Sequence, residues 1–134
     1  MYREEFAVRN NEIDSLGHVN NSAYFIYFEH TRNMFLSEIG FNIFKMQEKG
    51  VGLVIYESKV KYIMPILPND RITVELDVIM KSKLKYVFFE CIKRNIDGKV
   101  MATGKFKATS INAETNRPVW VPEFKEYFGK KEND

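Results

Sequence analysis

A carboxylate, a glycine and a run of polar side chains stand directly ahead of the most apolar stretch of this sequence, in Asp14-Ser-Leu-Gly-His-Val-Asn-Asn-Ser-Ala-Tyr-Phe-Ile-Tyr-Phe-Glu29. A carboxylate beside a helix N-terminus can activate water. The first-turn N–H groups next to it have no intrahelical acceptor and suit a developing oxyanion. Each of these residues also has a plainer reading. Asp14 is a good turn-former, Gly17 supplies unusual backbone angles, and Asn21 is a favoured helix N-cap. His18 reads as loop-shaping, with an imidazole available for a backbone hydrogen bond.

Several other chemistries lack their residues. Cys91 is the sole cysteine, so an intrachain disulfide and a cysteine-based metal site are excluded, and no metal-ligand spacing surrounds His18 or His30. There is no glycine-rich phosphate loop and no Gly-x-Ser-x-Gly elbow. With 20 basic against 18 acidic residues, the net charge of +2 is too balanced to argue for nucleic acid. No signal peptide and no apolar run of membrane-spanning length is visible, so a cytoplasmic protein that does not enter the membrane is expected.

The elements that must position Asp14 are legible from periodicity. The 134 residues are expected to form one domain, 1–134. A first strand is expected over 2–10, a turn-rich loop to Gly17, and one long helix from Asn21 to Ile39 with Gly40 as its stop. Ala23 to Phe28 are consecutive apolar residues, which implies a helix enclosed on most sides. A short helix around Phe41 to Lys49 ends at Gly50. Strands follow over 53–63, 71–80, 85–94 and 99–111, with Asp97-Gly98 as a hairpin turn. In the last strand Val100, Ala102, Gly104, Phe106 and Ala108 share a face, small enough in places for a helix to approach closely. The segment carrying Trp120, Phe124, Tyr127 and Phe128 reads as a docked tail, and Lys130 to Asp134 as a fraying end. Glu29 and Arg32 are spaced to pair on the helix. The order implies α+β, an antiparallel sheet of about five strands with a helix on one face.

The segment Asp14 to Glu29 resembles the signature of the hotdog-fold acyl-CoA thioesterases of the 4-hydroxybenzoyl-CoA thioesterase-like family: Asp-x-x-Gly-(His or similar)-Val-x-Asn, then a tyrosine-rich helix. Tyr62-x-x-Pro65 and Asn69-Asp70 are a weaker echo. The resemblance implies a sheet wrapped around one long central helix, and hydrolysis of an acyl-CoA thioester to free acid and CoA. It makes Asp14 the general base or nucleophile and places the backbone N–H of Asn21 at the thioester oxygen. Gly17, His18, Asn20 and Tyr24 then contact substrate. No metal or cofactor is needed, and a homodimer or homotetramer is implied, with a partner subunit supplying a share of the site or a counter-charge for the helix. Lys59, Lys61, Lys81, Lys83, Lys85, Lys105 and Lys107 make the strand ends and one strand face basic; such residues are usually solvated surface, and a few Lys or Arg at the cleft mouth would suit the phosphates of CoA. The same fold also serves proteins that bind acyl-CoA or acyl carrier protein without turnover. Retention of Asp14 favours the enzyme. A hotdog dehydratase fits less well, because Asn21 stands where that chemistry expects a histidine.

Overall fold

Five of the chain's strands pair edge to edge into one antiparallel sheet, and a helix lies across its concave side. The computed structural model describes residues 1–130. Strand β1 (Tyr2–Ala7) leads through a 3-10 turn (Asn10–Glu12) to helix α1 (Asn21–Glu38) and the short α2 (Ile43–Lys49). Then come β2 (Val51–Tyr62), β3 (Arg71–Ser82), β4 (Lys85–Arg94) and β5 (Val100–Asn112), and finally α3 (Phe124–Tyr127) and a two-residue β6 (Gly129–Lys130). The sheet order is β1-β3-β4-β5-β2. Strand β6 adds a parallel pairing on β3 beyond the end of β1 and makes the count six. This is the expected α+β architecture, with β1 ending at Ala7 rather than residue 10.

Alternation along the strands decides which face is covered. Ile72, Val74 and Leu76 of β3, Tyr86, Phe88 and Ile92 of β4, and Ala102, Phe106 and Ala108 of β5 are buried on the helix side. Each large side chain among them removed from water contributes on the order of 2 kcal/mol. Gly104 lets the helix come close: a Cβ there would lie 3.3 Å from Phe28 and 2.5 Å from the Phe106 ring. Gly40 and Gly50, at φ of +88° and +68°, follow the ends of α1 and α2 as expected.

Helix α1 buries Ala23, Tyr24, Tyr27, Phe28, Thr31, Arg32 and Leu36, a stripe at i, i+4 and i+8 spacing that lies on the sheet. Its other side is open. Ile26 is 62% exposed and Phe25 44%, so the expectation of a helix enclosed on most sides is corrected for the single chain. The expected Glu29–Arg32 pair is also replaced. Arg32 reaches across to Glu90 of β4 at 2.9 Å, deep under the helix, and stacks its guanidinium on Phe106 at 4.3 Å, while Glu29 stays exposed. The hydrogen-bond partner for Arg32 therefore comes from the same chain. Among the described residues no helix is long and apolar enough to cross a membrane.

The tail docks where the sequence suggested. Phe124 and Phe128 are buried and stack at 4.6 Å, closing over Tyr86. Trp120 is half-buried and Tyr127 exposed. The fraying expected of Lys130 to Asp134 falls on residues 131–134, outside the described residues; the backbone of Lys130 pairs with Met80.

Candidate active site

The loop from Asn10 to Asn20 is held from both sides before it hands over to α1. Ile13 and Val19 form an isolated bridge, and the Asp14 N–H donates to the His18 carbonyl at 2.7 Å. The Val19 N–H donates to Ile66 at 2.9 Å and the Asn20 N–H to the Glu12 carbonyl at 2.7 Å. Glu12 also accepts from the Arg9 N–H at 2.8 Å and, through the same Oε1, from the Tyr27 hydroxyl at 2.6 Å. Burial, followed by the Glu12 carboxylate, pushes the Tyr27 hydroxyl far above its ordinary range, so it remains a donor. Glu12 thus ties the loop to the middle of α1. In the linear sequence nothing singles out Glu12 except the need of a buried tyrosine hydroxyl for a partner.

Asp14 sits half-buried inside this loop. Its Oδ1 accepts the N–H groups of Leu16 at 2.9 Å and His18 at 3.2 Å. Gly17 closes the turn at φ +78°, a left-handed conformation that a side chain would oppose, and donates its N–H to the Asp14 carbonyl at 3.0 Å. Two backbone donors therefore fix the orientation of the carboxylate through one oxygen. Oδ2 meets no protein donor among the described residues. Asp14 lines a cleft of about 470 Å³ with Leu16 and His18 of the loop, Asn20, Asn21 and Tyr24 at the helix start, Tyr62 at the end of β2, and Ile63 and Pro65 just after it.

The helix start differs in one respect from the sequence reading. Asn20, not Asn21, is the N-cap, its Oδ1 accepting from the Ser22 N–H at 2.9 Å. Asn20 has the extended backbone a cap requires, whereas Asn21 is already helical. The Ala23 N–H turns to the Asn20 carbonyl at 2.9 Å, which leaves the Asn21 N–H with no protein acceptor among the described residues. That amide borders the cleft and carries the positive end of α1.

Of the other expected residues, Tyr24 and His18 line the cleft, while Gly17 shapes the turn behind it. The Tyr24 hydroxyl accepts from the Ile66 N–H at 3.3 Å, and its ring meets Tyr62 edge-on at 5.0 Å. Burial raises its hydroxyl above the usual range, with the Ile66 hydrogen bond pulling the other way, so it stays protonated at neutral pH. His18 serves the loop through its backbone, and its imidazole has no hydrogen-bond partner among the described residues. Asn69, at φ +70°, and Asp70, whose Oδ2 accepts the Leu67 N–H at 2.9 Å, shape the turn that carries the chain from this wall into β3. None of the seven lysines of the strand ends and strand face lines the cleft. Lys107 is tied to Glu57 at 2.9 Å, Lys83 lies over Trp120, and Lys59, Lys61 and Lys105 point to the opposite face of the sheet. No grouping of three or more His, Cys, Asp or Glu suited to a metal occurs among the described residues.

Residues 8–127 match the family described as the thioesterase-like superfamily. The chain belongs to this superfamily. It is 33% identical over 118 residues to a chloroplastic acyl-acyl carrier protein thioesterase of Arabidopsis thaliana, covering 88% of this chain and 62% of that protein. The chain thus spans about three fifths of the length of that plant relative. Solved thioesterase-like structures superpose closely and identify the fold as hotdog. A Staphylococcus aureus protein solved in complex with CoA has a TM-score of 0.88 at 19% identity, over 99% of this chain and 87% of that one. The 1,4-dihydroxy-2-naphthoyl-CoA thioesterase of Synechocystis has a TM-score of 0.86 at 15% identity, over 92% of each chain. In thioesterase-like terms, the loop before α1 and the first turn of α1 are the parts of this chain that carry a carboxylate and an open amide into one cleft.

Proposed function

We propose that this chain hydrolyses an acyl-CoA thioester, with Asp14 as general base or nucleophile and the Asn21 N–H as the oxyanion donor. The observation that carries the reading is the division of labour at Asp14. Oδ1 is engaged by two backbone donors and Oδ2 is left for chemistry, in the cleft that the Asn21 amide borders. In the general-base form, Oδ2 takes a proton from water as its oxygen bonds to the acyl carbon, and the carbonyl oxygen becomes an anion beside the helix N-terminus. Collapse breaks the carbon–sulfur bond, and the proton held by Asp14 passes to the departing thiolate. The buried Tyr24 and the side chain of Asn21 add no acid or base at neutral pH, which favours this single water-activating step over a covalent anhydride.

Asp14→Asn tests the reading. Asn keeps the oxygen that the Leu16 and His18 amides bind but cannot take the proton. A kcat loss on the order of a hundredfold or more is expected, with CoA affinity and thermal stability near wild type. Retention of about half the activity would remove Asp14 from the mechanism, and wild-type protein that binds acyl-CoA without turnover would be a binder rather than an enzyme. A single turnover with enzyme in excess, in heavy-oxygen water, tests the general-base form, and labelled acid leaves only an anhydride opened at the acyl carbon beside it. Unlabelled acid product ends the general-base form.

A further inference from the structure

On the face of the sheet away from α1, strand register lines side chains up in rows. Lys59 of β2 stands opposite Lys105 of β5, Lys105 opposite Phe89 of β4, and Phe89 opposite Asp77 of β3. In the next row Lys61 faces Thr103, Thr103 faces Cys91, and Cys91 faces Glu75. These residues border a hollow of about 410 Å³. The carboxylates on this face are already matched: Glu75 holds Arg3 at 3.0 Å and Lys93 at 2.8 Å, and Asp77 lies 3.7 Å from the Met1 amino group, while Glu90, which also borders the hollow, turns under α1 to Arg32 at 2.9 Å. Beside it on β2, Glu57 holds Lys107 at 2.9 Å. Among the described residues, Lys59, Lys61 and Lys105 have no carboxylate at ion-pair distance.

Three ammonium groups are therefore gathered on neighbouring positions of two strands. Like charges directly opposite each other on paired strands destabilise the pair, so Lys59 against Lys105 is a local cost that a bound polyanion would relieve. Next to them Phe89 is 40% exposed, with the Lys105 ammonium 5.9 Å from its ring centre. A flat apolar shelf beside three cations matches a ligand that joins an aromatic base to phosphates.

The geometry points to this hollow as the seat of the adenosine-phosphate end of the donor, with Lys59, Lys61 and Lys105 on the phosphates and Phe89 against the base. The assignment rests on the acyl-CoA reading above and narrows it, because a carrier protein presents the same arm without a base to stack. Lys61 directly precedes Tyr62 of the cleft wall, and Lys59 is about 10 Å from Tyr62 at the usual rise of a strand. The hollow and the cleft thus adjoin the same end of β2, and the phosphopantetheine arm is expected to pass around it at Ile63 toward Asp14.

The test is calorimetric titration of the whole chain with CoA and with adenosine 3′,5′-bisphosphate. It compares wild type with Lys59→Gln/Lys105→Gln and with Phe89→Ser, after confirming that the variants melt as wild type does. Both ligands are expected to bind and to compete. Both dissociation constants should rise about tenfold or more in the double-lysine variant and rise with added salt in wild type. The ratio of kcat/KM for an acyl-CoA to that for the same acyl-pantetheine should fall by a similar factor. Unchanged CoA affinity in the lysine variant overturns the site, as does failure of the bisphosphate to bind wild type. Loss of turnover confined to acyl carrier protein also overturns it and makes the lysines a docking face for an acidic protein. Lysine-dependent nucleotide binding without hydrolysis of any thioester supports the site and instead rejects the catalytic reading.

Discussion

Replacing Glu90 by Gln asks whether the carboxyl beneath α1 carries a charge. Glu90 is 3% exposed, its Oε2 receives Arg32 at 2.9 Å, and its Oε1 has no hydrogen-bond partner among the described residues. Burial pushes the carboxyl up to about 8 against the pull of the Arg32 guanidinium, from an ordinary value of 4.5. Between those two values the folded protein keeps a proton that the unfolded chain releases. The contribution to stability is therefore full below about pH 4.5 and is lost as pH rises through about 8. At about 1.4 kcal/mol per pH interval of one, the ceiling on that loss is about 5 kcal/mol. Gln has the shape of the protonated acid and cannot ionise. The variant should lie within about 1 kcal/mol of wild type at pH 5 and exceed it by a few kcal/mol at pH 9. Urea unfolding followed by far-ultraviolet circular dichroism at pH 5, 7 and 9 reads both, with the slope checked for constancy. A cost of about 3 kcal/mol or more at both extremes would refute the argument and make Glu90 the ionised half of a buried pair.

Gly104→Ala should cost about 1–3 kcal/mol, because its Cβ would meet the Phe106 ring at 2.5 and 2.8 Å; an unmoved urea midpoint contradicts this. Asn20→Ala should cost about 1 kcal/mol and lower kcat by loosening the first turn, while Asn20→Asp, which keeps an acceptor for the Ser22 amide, should restore both. Equal activity in the Ala variant would show that the cap does not position the Asn21 amide. The protein should sediment as a homodimer or a dimer of dimers, since the apolar Phe25, Ile26 and Met34 of α1 and Val54 and Tyr56 of β2 are exposed in the single chain. A fully active monomer at micromolar concentration in sedimentation equilibrium would rule this out.

What the sequence disclosed follows from how far each interaction reaches along the chain. The helices, their glycine stops and the alternating strands rest on neighbours within a few residues, and these were legible. So was the small face of β5, where Gly104 admits Phe28. Partners distant in sequence were not. Arg32 has Glu29 one turn away as an obvious mate, and nothing linear favours Glu90, 58 residues on, until strand register sets it under the helix. The same limit governs the lysines. Alternation puts Lys59 and Lys61 on one face of β2, but the pairing of β2 with β5 is what brings Lys105 beside them and takes all three away from the cleft. At the helix start two adjacent asparagines offered the same cap chemistry, and backbone angle chose Asn20. The carboxylate, its turn glycine and the open amide lie within eight residues of one another, so the core of the candidate site could be read before the fold was seen.

The two flanks of the sheet are unequal. Along β3 the outer margin is occupied by β1 over six residues and then by the two residues of β6, whereas β2 presents twelve residues with no strand beyond them among the described residues. Growth by strand addition from such a sheet is self-terminating. Two copies that join through β2 use up the long flank of each, and what remains at either end is a short, interrupted margin that offers a third copy little to zip onto. A dimer paired through β2 would thus be closed to further strand addition, where a sheet with two equivalent flanks would extend into a fibre.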